Sequence, residues 1–136
     1  MFLVNELSKQ CDVSTDAIRY YTRLGLLRPE RNQENAYRLY SISDKKRLEF
    51  IHQAKQLGYS LNEITQIFEE CQHGKSPCPK VREIIQRRIV ENRKKIDAAM
   101  KLQDRMEQAL ANWENMPDGV PDGHTTCLLI ESFSDD

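Results

Sequence analysis

Between Ser76 and Met116 nothing in the chain interrupts a helix: there is no Gly, and Pro77 and Pro79 fall in the first turn, where a missing amide is tolerated. Roughly 38 helical residues extend about 57 Å. Along that span Ile85, Ile89, Ile96, Ala99, Leu102, Met106, Leu110 and Trp113 form one apolar stripe, with Asn92 inside the seam. A small head cannot cover a single stripe on so long a helix. It needs a partner helix, most simply from a second copy of the chain. One Asn in such a seam lowers stability but sets register and partner number. In a chain of 136 residues, what remains is a small head in front and a short tail behind.

The head reads as a series of short helices. After Phe2-Leu3-Val4, residues Asn5 to Cys11 form a first helix burying Leu7, with Cys11 in the core, and Asp12-Val13 turns it. Ser14 caps a second helix to about Leu24, with Ile18, Tyr21 and Leu24 facing the core and Gly25 stopping it. Thr15, Arg19, Tyr20 and Arg23 lie mainly on the opposite face. The polar stretch Arg28 to Ala36 is a loop, and Tyr37-Arg38-Leu39-Tyr40 alternates as a short strand, a plausible wing. Ser43 caps a third helix with Leu48, Ile51 and Ala54 inward, ending near Gly58. Ser60-Leu61-Asn62-Glu63 is a capping box opening a fourth helix marked by Leu61, Ile64, Ile67 and Phe68. Gln72-His73-Gly74-Lys75 is a break.

Charge is unevenly placed although the net value is −1. Residues 1–58 carry ten Lys/Arg against seven Asp/Glu, residues 76–116 nine against six, and residues 117–136 five acids with no Lys or Arg. A basic front studded with Arg and Tyr on a capped helix suits a phosphate backbone and base edges, so the first half is expected to bind DNA. The excess is modest, and binding therefore depends on where each cation sits. No apolar run approaches the roughly 20 residues of a membrane span and no signal peptide precedes Met1-Phe2-Leu3, so a cytoplasmic protein without membrane partners is expected. Four irregularly spaced cysteines point to reduced thiols.

Together, Val4-Asn5-Glu6-Leu7-Ser8, Ile18-Arg19-Tyr20-Tyr21, Gly25-Leu26-Leu27, Tyr37-Arg38-Leu39-Tyr40, Leu48, Phe50-Ile51 and Leu57-Gly58-Tyr59-Ser60-Leu61 resemble the MerR family of bacterial transcription regulators, in order and over about residues 2–70. The resemblance is strongest to its metal-responsive branch. It implies a mainly α fold: a winged helix-turn-helix DNA-binding domain (1–70), a hinge (71–75), and a dimerisation helix (76–116). That helix forms an antiparallel two-helix coiled coil in a homodimer. An effector loop with a short C-terminal helix (117–136) completes the chain. The resemblance further implies binding between promoter elements with a long spacer. On meeting its effector the protein bends and untwists the duplex for RNA polymerase, a deformation with its own energy cost. Carried onto matching positions, Thr15, Arg19 and Tyr20 enter the major groove, with Arg23 on the same face, while Tyr37, Arg38 and Lys55 clamp phosphates. Two positions depart from the family pattern: Ala36, where a wing turn often has Gly, and Asn32, where an Arg often contacts phosphate and for which Arg31 can substitute.

Cys78 lies in Ser76-Pro77-Cys78-Pro79, in the first turn of the long helix, where the helix dipole favours a thiolate and hence a soft or borderline metal. In metal-sensing relatives a Cys here accompanies divalent ions, and in the implied antiparallel dimer Cys78 of one chain approaches the 117–127 loop of the other. Cys127 is the natural partner, and His124 lies close enough in a turn to share the ion. Such relatives usually carry two cysteines in that loop and this chain has one, so a third ligand is sought in His124, Asp118, Asp122, Cys71 or His73. A mixed Cys/His set suits zinc or cadmium, and isolated thiolates suit mercury; lead is a further candidate.

The alternative input is redox or electrophile stress acting through Cys78 and Cys127. A Cys–His hydrolase or transferase is disfavoured, since the chain has no phosphate cradle, oxyanion motif or sizeable pocket-building domain, and no enzyme activity is expected. A coiled-coil adaptor with an incidental basic head is the remaining reading.

Overall fold

The computed structural model describes residues 1–134; Asp135 and Asp136, the last two of the expected 117–136 segment, lie outside the described residues. The chain is mainly helical, in the order α1 (Val4–Cys11), α2 (Thr15–Arg23), β1 (Glu30–Arg31), β2 (Arg38–Leu39), α3 (Ile42–Gln56), α4 (Leu61–Gln72), α5 (Cys78–Trp113) and α6 (Leu128–Glu131). It divides into two units, Met1–Gln86 and Arg87–Asp136, described here each by itself.

Caps and left-handed residues set the helix ends in the first unit. The Ser14 hydroxyl accepts from the Ala17 amide at the start of α2. Ser60 and Glu63 exchange hydrogen bonds as a capping box for α4. The expected cap at Ser43 is corrected: Ser41 caps α3, accepting from the Asp44 amide, and the Asp44 carboxylate returns a bond from the Ser41 amide. The reason is the hydrogen-bonding chemistry of the side chain at the third helical position. Counting from Ser41 that residue is Asp44, which can reach back, whereas from Ser43 it is Lys46, which cannot accept.

Leu7, Ile18, Leu27, Tyr40, Leu48, Ile51, Ile64 and Ile67 form the fully buried centre of this unit. Each such side chain contributes about 1.5–3 kcal/mol by leaving water. Leu24 was expected in this core and is instead 50% exposed. Gly25, at φ +80°, reverses the chain after α2 and delivers Leu26 and Leu27 to the interior in its place. Cys11 and Tyr21 are half-buried against the same core, as expected, and burial raises the pKa of both groups.

The expected loop from Arg28 to Ala36 contains a strand. Glu30 pairs with Leu39 and Arg31 with Arg38, so β1 and β2 make a short antiparallel hairpin. A bridge between Phe2 and Tyr40 adds the N-terminus to it. Ala36 adopts φ +61°, and the turn is closed by Ala36 N–H to Asn32 O and Asn32 N–H to Tyr37 O, both 2.8 Å. Alanine thus occupies a left-handed position at some steric cost.

Two hydrogen bonds, one from the Arg28 amide to Asp44 and one from Arg47 to Leu26 O, tie the segment after α2 to α3. The Asp44 carboxylate, 4% exposed, accepts from the Arg28 amide at 3.0 Å. It also accepts from both the amide and hydroxyl of Ser41. Arg47 Nε donates to Leu26 O at 2.8 Å, and its guanidinium lies 4.1 Å from the centroid of the Phe68 ring on α4. Burial, and secondarily the neighbouring Arg28 cation, lowers the Arg47 pKa, although a guanidinium stays charged throughout.

The first turns of α5 finish this unit. Ile84 is buried and Val81 and Ile85 pack beside it against the core, so the start of the apolar stripe, expected to await a partner helix, is partly covered by the head at Ile85. Farther along, Ile89, Ile96, Leu102, Met106 and Leu110 are all exposed in the single chain. In the second unit, Ile130 and Phe133 face Leu102, Met106 and Trp113 of α5 across an apolar groove of about 300 Å3. Gly119 lies under Leu128 so closely that an added Cβ would come within 2.9 Å of its Cδ1. Among the described residues no helix is long and apolar enough to cross a membrane.

Candidate nucleic-acid interface and effector residues

Along α2 the helical period separates two faces. Ile18 is fully buried, while Arg19, Tyr20 and Arg23 are exposed and Thr15 half-exposed beside them. These polar side chains contact one another lightly. Arg19 donates to Thr15 Oγ1 at 3.5 Å and pairs with Asp16 at 3.5 Å, and Arg23 sits 5.7 Å from the Tyr20 ring centroid. An exposed ion pair of this kind is weak and readily exchanged for a phosphate or a base edge.

The hairpin stands beside this face. A groove of about 550 Å3 is lined by Leu3, Val4 and Asn5 at the start of α1, Arg19 of α2, and Ala36, Tyr37, Arg38 and Tyr40. Five of the expected DNA-contacting residues therefore fall into two connected patches: Arg19, with Thr15 and Tyr20 on its helix, and Tyr37 with Arg38 across the groove. Lys55 stands exposed in the last turn of α3 and does not line the groove. Beneath the surface, Thr22 donates to Ile18 O at 2.7 Å and meets the buried Tyr40 hydroxyl at 2.9 Å. That bond sets the hairpin at a fixed distance from α2, so both patches can follow one duplex.

Asn5 was not among the residues expected at this face, and Asp44 and Arg47 were not recognised as its supports. Asp44 carried a legible signal, the Ser-x-x-Asp spacing from Ser41. Asn5 and Arg47 carried none, because the groove that Asn5 lines and the partners that Arg47 touches are built from positions remote in the chain.

The four cysteines are free. Cys78 is exposed at the first residue of α5, its amide donating to Ser76 Oγ at 3.3 Å. Cys71 is exposed in the last turn of α4. Cys127, half-buried, precedes α6, and His124 is exposed three residues earlier. The Asp122 carboxylate accepts from the amides of His124 and Thr125 at 2.8 and 3.0 Å and from the Thr125 hydroxyl. Those bonds hold its pKa below the ordinary carboxylate value and give the segment before Cys127 a defined turn. Among the described residues of the single chain, no group of three or more His, Cys, Asp and Glu side chains is gathered to hold a metal ion.

Two family models match the chain: "MerR HTH family regulatory protein" over residues 2–71 and "MerR, DNA binding" over residues 45–109. The HTH-type transcriptional regulator ZntR of Escherichia coli strain K12 is 30% identical over 136 residues, covering 98% of this chain and 92% of the relative. The mercuric resistance operon regulatory protein of Bacillus cereus is 33% identical over 96 residues, 71% of this chain and 73% of the relative. A crystal structure of a MerR-family transcriptional regulator from Bacillus cereus superposes with a TM-score of 0.69 at 28% identity, covering 88% of this chain and 87% of that one.

Proposed function

The chain belongs to the MerR family of DNA-binding transcriptional regulators, and from that premise we propose that it is a homodimer that switches a long-spacer promoter by distorting the DNA on binding a divalent metal ion. The observation that carries this reading is the placement of its thiols. Cys78 is open to solvent at the N-terminus of a 36-residue helix whose apolar stripe is uncovered in one chain. Cys127 and His124 sit in a turn-braced segment beyond that helix's other end. Pairing two such helices head to tail covers the stripe and brings Cys78 of one chain to the His124–Cys127 segment of the other.

The donor set fits a metal. Exposed thiolate and imidazole groups suit zinc or cadmium, with lead or mercury accommodated by the thiolates, and Cys71 or Asp122 can complete the coordination. The mercuric operon regulator among the relatives supports a heavy-metal input. A bound ion supplies a bond between subunits. The chain's own residues do the rest: Thr15, Arg19, Tyr20 and Arg23 read the major groove, while Tyr37, Arg38 and Lys55 hold the backbone. The domain limits follow the same division, a DNA-binding head over 1–70, a hinge over 71–75, a dimerisation helix over 76–116 and an effector segment from 117.

Titrating the reduced protein with zinc, cadmium, lead and mercury, while following transcription from its own upstream promoter, tests the reading. One ion is expected to bind below micromolar concentration and to raise transcription. Cys78→Ser is expected to abolish that response and leave promoter binding intact. Absence of any divalent binding in reductant, with a response to oxidant instead, would transfer Cys78 and Cys127 to a redox sensor.

A further inference from the structure

Tyr59 is 5% exposed, directly after Gly58 in the turn between α3 and α4, and its hydroxyl donates to Val81 O at 2.8 Å. Val81 lies in the first turn of α5, three residues after Cys78. A phenylalanine ring would fill the same space without the expense of burying a hydroxyl, so the oxygen must be satisfied by a defined partner. That partner is a backbone carbonyl of α5.

We propose that Tyr59 is a positioning residue that couples the start of α5 to the DNA-reading head, so that a change at Cys78 is felt at α2 and the reverse. This rests on the preceding reading of α2 as reader and Cys78 as effector ligand. The apolar seat made by Val81, Ile84 and Ile85 is non-directional and tolerates small rotation or sliding of the helix. A hydrogen bond to one named carbonyl does not. The route onward is continuous. The Tyr59 amide bonds Ala54 O at 3.1 Å near the end of α3. The same helix, through Arg47 Nε, bonds Leu26 O just beyond α2. Ile18 of α2 shares the buried cluster with Leu48, Ile51 and Ala54 of α3.

A coupling between the two ends leaves a trace at each, which is read there by its own response. In the full-length protein, with and without Tyr59→Phe, the rate of Cys78 alkylation by iodoacetamide is measured by peptide mass spectrometry, with and without a duplex carrying the chain's own promoter. Zinc-dependent transcription from that duplex is measured in parallel. In the unsubstituted protein the duplex is expected to change the Cys78 rate. Tyr59→Phe is expected to shrink that factor and the zinc induction ratio by about five-fold, the factor to which one net hydrogen bond converts. Affinity for the duplex without zinc stays the same. Undiminished coupling in the variant, loss of duplex affinity together with coupling, or no effect of DNA on Cys78 in the unsubstituted protein each overturns the proposal. A Tyr59-dependent effect of DNA on Cys78 without any metal response upholds it and instead refutes the metal reading.

Discussion

Asp44 is a buried acceptor for which the fold has no ready replacement. Its carboxylate is 4% exposed and accepts from the Arg28 amide at 3.0 Å, the Ser41 amide at 3.1 Å and the Ser41 hydroxyl at 3.2 Å. Asp44→Ala removes both carboxylate oxygens and with them all three bonds at once. The hydroxyl can rotate toward water or a neighbour, but the two amides are fixed by the backbone and remain partly buried. Each orphaned amide costs about 1–2 kcal/mol, so the substitution is expected to lower unfolding free energy by about 3 kcal/mol. Asp44→Asn keeps one oxygen for the Arg28 amide and turns a donor toward the Ser41 amide, for a loss of about 1–2 kcal/mol. Urea unfolding followed by far-ultraviolet circular dichroism, at one fixed protein concentration because dimerisation contributes, reads both values. A loss under about 1 kcal/mol for the alanine variant would mean that Arg28 and Ser41 find other acceptors, and the bracing role given to Asp44 would be wrong.

Arg19→Ala is expected to cost about 1–3 kcal/mol at the specific site and to narrow the gap between specific and non-specific DNA, whereas Arg38→Ala weakens both alike and lowers the salt slope by about 1; fluorescence anisotropy across salt concentrations separates them, and an unchanged specific-to-non-specific ratio for Arg19→Ala removes it from base reading. Ala36→Val is expected to destabilise by about 1 kcal/mol because a branched side chain sits badly at positive φ, while Ala36→Gly is near neutral as relieved strain offsets added chain entropy in the unfolded state; equal losses from both substitutions in urea would refute the strained turn. The Asp122 pKa is lowered in the folded protein, so its bonds to His124 and Thr125 are fully present above the ordinary carboxylate pKa and are lost as pH falls through the lower folded value. A carboxyl titration by nuclear magnetic resonance should place its midpoint below that of an unfolded peptide, and a midpoint at or above the peptide's contradicts the braced turn.

Much of the head could be read from residue order because helices depend on neighbours. Ser14, Ser60 and Gly25 act over three or four residues, and Leu48, Ile51 and Ala54 mark one face by spacing alone. The separation of Ile18 from Arg19 and Tyr20 is of the same kind. Misjudgements gather where a local pattern competes with a distant one. Leu24 continues the inward period of α2, yet the left-handed Gly25 makes Leu26 and Leu27 the better fillers of the same space. Glu30 and Arg31 have no strand character of their own, and only the partners Leu39 and Arg38 make them one. For the candidate site, the residue types at Cys78, His124 and Cys127 were legible as metal donors, while among the described residues of one chain no group of three or more such donors is gathered.

Helical punctuation, the unbroken run leading to Trp113, and the exposed cations of α2 were written into the order of residues, since backbone hydrogen bonds in a helix close within four positions. Folding in three dimensions settled what the order left open: the hairpin register, the burial of Asp44 and Tyr59 with their bonds to Arg28 and Val81, and the groove that sets Asn5 beside Arg19 and Arg38. Those contacts join positions tens of residues apart, and no local energy favours them until the core around Ile18, Tyr40 and Ile51 has closed.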